Sequence, residues 1–208
     1  MTANPVRGRI NALIFKILDG YAHRVLGERK RKLFADLPDT VLEIGPGTGT
    51  NLRYYRPGTR LLAVEPNPYM HGVLRAAAAR HGVTVDLLPA GAERIPLPDG
   101  SVDTVVSTLV LCTVPDPAAA VREILRILRP GGRLLFLEHV RATGSSGYAV
   151  VQRLTERPWR WFFEGCEVCR DTEATIRAAG FATVRADRYQ APSLFLPINP
   201  QIAGEAVR

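Results

Sequence analysis

Residues 41–51, VLEIGPGTGTN, constrain this chain more than any other stretch. A short apolar run carries an acid, Glu43, and then meets three glycines at alternate positions, Gly45, Gly47 and Gly49. Glycine is the residue for a backbone that must turn sharply or pass close to something. A buried strand that stops in such a turn belongs to α/β proteins, whose parallel sheets bind ligands beyond the carboxyl ends of their strands.

The rest of the chain follows that pattern. Apolar residues Ile10, Leu13, Ile14, Ile17, Leu18, Tyr21 and Val25 recur at helical spacing and predict a helix from about Arg9 to Phe34. TVLEIG, LLAVE, VTVDLLP, VDTVVSTLVL and RLLFLEHV then read as five strands. The fourth is apolar almost throughout, as expected of a strand covered on both faces. Helices are expected at YMHGVLRAAAAR and at DPAAAVREILRILRPGG, the latter closed by Pro-Gly-Gly. A further helix is expected from about Tyr148 to Phe163, and another at DTEATIRAAGF with Asp171 as N-cap. TVRADRYQ and SLFLPIN supply two last strands. The expected architecture is one Rossmann-like domain, a mostly parallel seven-stranded sheet flanked by helices and preceded by a helical segment. Residues 1–36 would form a lid and 37–208 the ligand-binding domain.

Composition narrows the function. The 208 residues suffice for one domain with a full core, and 46% are hydrophobic against 23% charged. No apolar run approaches the roughly 18 residues needed to span a membrane, and no export signal is visible at the N-terminus. A cytoplasmic location is expected, with no stable membrane insertion. The three cysteines, Cys112, Cys166 and Cys169, are expected to be reduced thiols. The net charge of +7 is spread along the chain. Its one cluster, RKRK at 29–32, has no interleaved aromatics for stacking on bases and reads as the wet face of a helix. No nucleic-acid partner is expected.

Three ligands compete for the glycine turn. A P-loop closes in Gly-Lys-Ser/Thr, whereas Gly49 is followed by Thr50 and Asn51. A dinucleotide turn reads G-x-G-x-x-G, and here the spacing is G-x-G-x-G. S-adenosylmethionine has a nucleoside and an amino acid but no phosphate. It wants a close backbone for its methionine portion and an acid at the next strand end for its ribose hydroxyls. Glu65 ends LLAVE and suits that task, since a carboxylate accepts two hydroxyl hydrogen bonds.

The glycine turn, Glu65, AERIPLPDGSVDTVVS and LRPGG, in that order, resemble the class I S-adenosylmethionine-dependent methyltransferases. The resemblance implies roles by position. Glu43 lies near the methionine ammonium, Gly45, Gly47 and Gly49 pass the ligand, and Asn51 opens the next helix. Glu65 takes the ribose, with Pro66 and Asn67 beside it. GAERIPL flanks the adenine, with Ala92 contacting it through its backbone. Members of the class often carry an acid where this chain has Gly91, and Glu93 is the candidate to reach the base instead. Thr108 and Leu109 border the sulfonium.

The acceptor side shows none of the marks of nucleic-acid or protein-arginine methylation. There is no Asp/Asn-Pro-Pro-aromatic after the fourth strand, no Pro-Cys, and the glutamates of FFEGCE, Glu164 and Glu167, come too late in the chain. A small-molecule acceptor is left. STLVLCTVPD, RILRPGG, LEHV, EGCEVCRDT, VEPNPYM and the tail IAGEAV are similar to stretches of the methyltransferase-like seven family of thiol S-methyltransferases. That likeness implies a small, fairly apolar acceptor and points to a thiol; O-, N- or C-methylation stays open, as does a protein that binds S-adenosylmethionine without methylating. Two departures stand out: the animal enzymes carry a hydrophobic N-terminal anchor, and Cys169 stands where the family usually has threonine.

LEHV ends the fifth strand, which brings Glu138 or His139 toward the acceptor. His139 is the candidate general base; the alternative is that it caps the strand and packs beneath the helices. Cys166-x-x-Cys169 lacks a second pair of ligands at zinc spacing, so no metal is expected, and Cys112 reads as core. The N-terminal helix reads as a lid that brings Phe15 and Tyr21 to the ligands, or as a membrane-surface helix. Trp159, Trp161, Phe162 and Phe163 are expected to wall an apolar acceptor pocket.

Overall fold

A computed structural model describes residues 5–144, 147–163 and 165–208. The strands are β1 (Thr40–Ile44), β2 (Arg60–Val64), β3 (Thr84–Leu88), β4 (Val102–Thr108), β5 (Leu128–His139), β6 (Thr183–Gln190) and β7 (Pro200–Val207). They form one sheet in the order β3-β2-β1-β4-β5-β7-β6. β3 to β5 are parallel to their neighbours, whereas β7 runs antiparallel between β5 and β6. The chain builds outward from β1 in one direction and from β4 in the other. The carboxyl ends of β1 and β4 therefore flank the crevice where such sheets hold ligands.

The helices are α1 (Pro5–Leu33), α2 (Pro68–His81), α3 (Pro117–Ile127), α4 (Gly147–Phe162) and α5 (Thr172–Arg177). Local chemistry sets their ends. Asn67 caps α2 through Tyr69 N–H, and Gly82, at φ 66°, closes it. Asp116 caps α3 through Ala119 N–H, and Asp171 caps α5 through Ala174 N–H. α3 buries Ala120, Val121, Ile124 and Ile127, one stripe of a 3.6-residue period, against Leu42, Val105, Leu134 and Phe136. α2 covers the other face, where Leu74, Ala77 and Ala78 meet Val41, Leu61, Val106 and Leu135.

Two of the differences from the sequence reading have a clear physical cause. SLFLPIN is not a strand. Pro192 and Pro197 have no N–H to donate to a ladder, and the segment closes on itself: Asn199 Nδ2 donates to Ser193 O, and Phe195 N–H to Ser193 Oγ. The seventh strand is the next segment, Pro200–Val207. Its small residues Ala203, Gly204 and Ala206 let it lie between two strands. α3 also stops at Ile127, before Pro-Gly-Gly is reached. Arg129 precedes Pro130 and is driven from helical geometry; Leu128 onward is already β5, with a register shift against β4 between Val102 and Thr104.

The position of β7 is testable at Gly204, where a Cβ would lie 1.9 Å from the Arg185 carbonyl oxygen. Gly204→Ala should cost about 3 kcal/mol of stability, the scale of overpacking. Gly20→Ala, on α1 with nothing within 4 Å of the added Cβ, should add up to about 1 kcal/mol. Urea unfolding of both variants measures this, and a neutral Gly204→Ala would refute the β5-β7-β6 pairing.

Candidate active site

The glycine turn leaves β1 with Gly45, Gly47 and Gly49 all at positive φ, 56°, 57° and 85°. Their surroundings divide them. A Cβ on Gly45 would meet Val110 Cγ2 at 2.6 Å, and one on Gly49 would meet Leu52 Cδ1 at 2.6 Å and Ala77 at 3.2 Å. Those two glycines admit protein. Gly47 has only the Gly45 carbonyl oxygen, 4.0 Å away, so its Cα is the one that faces open space. Its N–H donates to Glu65 Oε2 at 3.0 Å, while Asn67 N–H donates to Glu65 Oε1 at 2.8 Å. Glu65, buried at the end of β2, is thereby oriented by backbone. Pro66 beside it is exposed, and Asn67 is buried as the α2 cap.

Glu43 is 1% exposed. Asn51 Nδ2 donates to its Oε1 and the Tyr55 hydroxyl to its Oε2, both at 2.6 Å. Asn51 opens no α-helix: it precedes a 3-10 turn, Leu52–Tyr54, and its side chain makes no cap. It reaches back to Glu43 and on to Thr108 Oγ1 at 2.7 Å, so it ties the end of β1 to the end of β4. Asn51 Oδ1 is a buried acceptor with no partner in the protein.

A charge that acts on Glu43 was hidden in RKRK. Lys30 is 4% exposed, not part of a wet face. Burial pushes its pKa down to about 8, and the Glu43 carboxylate acts against that shift. Burial raises Glu43, while Tyr55, Asn51 and Lys30 lower it. Arg29, Arg31 and Lys32 do remain exposed; Arg29 lies 3.4 Å over the Tyr189 ring and Lys32 pairs with Glu28. Helical spacing alone gave no sign that one of four adjacent bases turns inward.

At the adenine-flanking segment, Ala92 is buried in the core and Glu93 folds back over Gly91. Glu93 Oε2 lies 2.8 Å from where a Gly91 Cβ would stand. A carboxylate from two residues on therefore lies beside the Cα of Gly91. Its other oxygen accepts from Asp116 N–H at 3.4 Å.

β4 ends in Thr108 and then Leu109, whose φ of 60° is the one positive value at a non-glycine among the described residues. Such strain persists where surroundings enforce it. Here Leu109 N–H is held by Leu137 O at 2.9 Å. Glu138, fully buried, accepts from Ser107 Oγ at 2.5 Å and from Val110 N–H at 3.2 Å. Its role is to fasten the turn after β4. His139, 6% exposed, lies next to two sulfurs: Nδ1 is 3.5 Å from Cys166 Sγ and 3.7 Å from Cys112 Sγ. Nε2 is buried with no protein partner. A hydrogen bond from the Cys112 thiol holds Cys166 low, with His139 adding to it, and the same contact pushes Cys112 up. Cys112 is core, as expected, and it also touches His139 and Cys166. Sequence spacing could not reveal this cluster, because its members come from three segments.

The aromatic segment splits. Trp159 and Phe163 stack at 4.2 Å and pack on Cys112, Cys166 and Val168. Trp161 and Phe162, 67% and 54% exposed, stand in solvent and wall nothing. α1 crosses this same edge of the sheet. Asn67 Nδ2 reaches Gly8 O at 3.5 Å, His23 Nδ1 lies 2.6 Å from Tyr54 Oη, and the Tyr21 hydroxyl donates to Ser193 Oγ at 3.0 Å. The Tyr21 ring meets Phe195 edge-on. The side chain of Phe15, and Glu164, lie outside the described residues.

The Lys30 burial predicts a pH signature. Its folded pKa, about 8, lies below its ordinary 10.5. Between those values the unfolded chain holds a proton that the folded chain has lost, so stability should rise with pH there. Lys30→Met should lose that rise, on the order of 3 kcal/mol. Urea unfolding from neutral pH to about 10.5 measures it; parallel profiles for the two proteins would place the ammonium in water.

A family model described as a methyltransferase domain matches residues 42–136. Thiol S-methyltransferase TMT1B of Rattus norvegicus is 36% identical over 202 residues, covering 92% of this chain and 83% of that protein. Human thiol S-methyltransferase TMT1A is 34% identical over 194 residues, 88% of this chain and 80% of its own. An S-adenosylmethionine-dependent methyltransferase of Thermotoga maritima, described as a possible histamine N-methyltransferase, superposes with a TM-score of 0.69 at 21% identity over 95% of this chain and 98% of its own. One from Aquifex aeolicus gives 0.65 at 19% identity, over 94% and 97%. At those identities the two structures speak for the fold alone. The chain belongs to the family of the thiol S-methyltransferases, within the class I methyltransferases, and is an enzyme that takes its methyl group from S-adenosylmethionine.

Proposed function

We propose that this enzyme methylates the sulfur of a small, fairly apolar thiol. The observation that carries the reading is the place of His139. It sits at the carboxyl end of β5, on the edge that also bears the glycine turn, with Nε2 buried and unpartnered. The similar rat and human proteins are thiol S-methyltransferases, which agrees with it.

The residues present fit S-adenosylmethionine. Asn51 Oδ1, a buried acceptor without a partner beside the Glu43 carboxylate, suits a methionine ammonium. Gly47 leaves room for a close approach, and Glu65, held by Gly47 and Asn67, suits two ribose hydroxyls. Glu93 and the backbone of Ala92 take the adenine. Thr108 and the strained Leu109 border the sulfonium. The α1 helix closes over the ligands as a lid, which its bonds to Asn67 and Ser193 support. When bound, the sulfonium supplies an electrophilic methyl group. The chain's own task is to align acceptor and methyl at about 3 Å and to ease loss of the acceptor's proton, the part given to His139. A thiol, with a pKa near 8.5, needs little help. No nucleic acid is part of this reading, since Lys30 is withdrawn into the protein and Arg29 covers Tyr189.

Purified enzyme with labelled S-adenosylmethionine should methylate benzenethiol and leave phenol and aniline unchanged. Methylation of phenol or aniline with thiols inert would overturn the thiol reading. His139→Ala should lower turnover at pH 6.5 by about 100-fold or less, the low end for general-base catalysis, and pH 9.5 should restore much of it. A variant equal to wild type throughout would make His139 structural. In calorimetry with S-adenosylhomocysteine, Glu65→Ala and Glu93→Ala should each weaken binding by about 1.5–3 kcal/mol; unchanged affinity would remove the residue concerned from the site.

A further inference from the structure

We propose that Cys112, His139 and Cys166 form a binding site for a zinc-type divalent cation, with its fourth position offered to the sulfur of the acceptor. The second half rests on the thiol reading above; the first half does not.

The geometry points to this. The three donors come from the turn after β4, the end of β5 and the segment after α4, and all three residues are buried. Cys112 Sγ and Cys166 Sγ are 3.6 Å apart, and His139 Nδ1 is 3.7 Å and 3.5 Å from them. A tetrahedral zinc ion, with Zn–S about 2.3 Å and Zn–N about 2.0–2.1 Å, would set its sulfurs about 3.8 Å apart and each sulfur about 3.6 Å from the nitrogen. The three donors already stand at the corners of one face of that tetrahedron. Two thiolates and an imidazole are also the ligand types that suit zinc.

The number of donors matters as much as their spacing. Structural zinc sites close with four protein ligands, whereas catalytic ones use three and keep one position for water or substrate. Cys169, the other half of Cys-x-x-Cys, is not among the donors that lie within 4.8 Å of one another. The scaffold holds the three without help. Glu167 N–H donates to Cys112 O at 2.8 Å, and Arg170 Nη1 donates to Leu111 O at 2.7 Å and Val114 O at 2.8 Å, which ties the Cys166 segment to the Cys112 turn. Each donor also lies in one of the stretches, STLVLCTVPD, LEHV and EGCEVCRDT, that make the acceptor side of this chain distinctive.

The chemistry follows. With the cation bound, His139 is its ligand and no longer the acceptor's base: a coordinating thiol is deprotonated outright, so the acceptor's proton goes to solvent as its sulfur takes the fourth position. A lone pair on that sulfur then forms the new S–CH3 bond while the bond from methyl to sulfonium breaks. The electron pair of the broken bond stays on the departing sulfur, giving S-adenosylhomocysteine, and the cation keeps its oxidation state.

The test uses the full chain, reduced with a phosphine, stripped with a chelator and titrated with Co²⁺. The wild type should bind one ion per chain and show the intense visible bands of tetrahedral cobalt with a near-ultraviolet sulfur-to-cobalt band. Cys112→Ser, Cys166→Ser and His139→Ala should each weaken binding on the order of 100-fold or more, and Cys169→Ser should not. Benzenethiol should shift the cobalt bands, and phenol should not. The wild-type spectrum reports the coordination directly, so the proposal is decided even if a variant fails to fold. No cobalt uptake by the reduced protein, octahedral bands, or conversion of Cys112 and Cys166 to a disulfide as their only reaction would overturn the site, and the thiol reading would stand on its own assay. Tetrahedral cobalt that ignores benzenethiol would overturn the fourth-position assignment; if benzenethiol is also not methylated, the thiol reading fails while the cation site remains.

Discussion

A carboxylate buried at the end of the first strand is the constraint on which the rest of the site depends. Glu43 is cut off from water, and an ionised group in that position is costly unless hydrogen-bonded and paired. The groups that act on it come from two separate parts of the chain. Asn51 and Tyr55 come from the residues after the glycine turn, and Lys30 comes from α1. Asn51 also bonds Thr108, which brings in the end of β4. Satisfying one buried charge thus fixes the turn, the two central strand ends and the helix above them in one arrangement. Burial raises both Glu43 and the cost of losing a partner, so the network is held together more tightly than any single hydrogen bond would imply.

The glycine turn extends this constraint in two directions. Gly45 and Gly49 are small so that Val110 on one side and Leu52 and Ala77 on the other can close in. Gly47 is small where nothing of the protein approaches. Its N–H sets the Glu65 carboxylate, so the turn that faces the ligand also aims the acid at the neighbouring strand end. Glu93 in turn folds back so that its carboxylate lies beside Gly91, a position without a side chain of its own.

Features with a local cause were legible in the sequence. The five parallel strands, the cap at Asp171 and the glycine turn all answer to near neighbours, and the structure has them where the sequence put them. What was missed depends on contacts distant in sequence. SLFLPIN has strand-like composition, yet its prolines cannot join a ladder, and the following IAGEAV, poor in large residues, fits between two strands because it is small. Lys30 sits in one run of bases with Arg29, Arg31 and Lys32, and only the fold shows that it alone is buried. Trp161 and Phe162 share a run with Trp159 and Phe163, but the helix turns the first two outward. Cys112 and Cys166 are 54 positions apart, so only the fold makes them neighbours.

The acceptor side answers a different physical demand from the cofactor side. Around Glu43 and Glu65 the protein supplies charge and hydrogen bonds, as a sulfonium nucleoside bearing an amino acid requires. Beyond β4 and β5 it supplies soft and aromatic groups: two sulfurs, an imidazole, Trp159 and Phe163. Glu138 lies between the two environments; its Oε1 holds Ser107 and the Val110 N–H. It thereby fastens the turn that runs from Leu109 to Cys112. The positive φ of Leu109 lies within that arrangement. One short turn meets Leu137 at its start, Glu138 at its middle and the sulfur cluster at its end. Strain of this kind persists where its surroundings enforce it, and here the surroundings are a buried carboxylate on one side and buried sulfurs on the other.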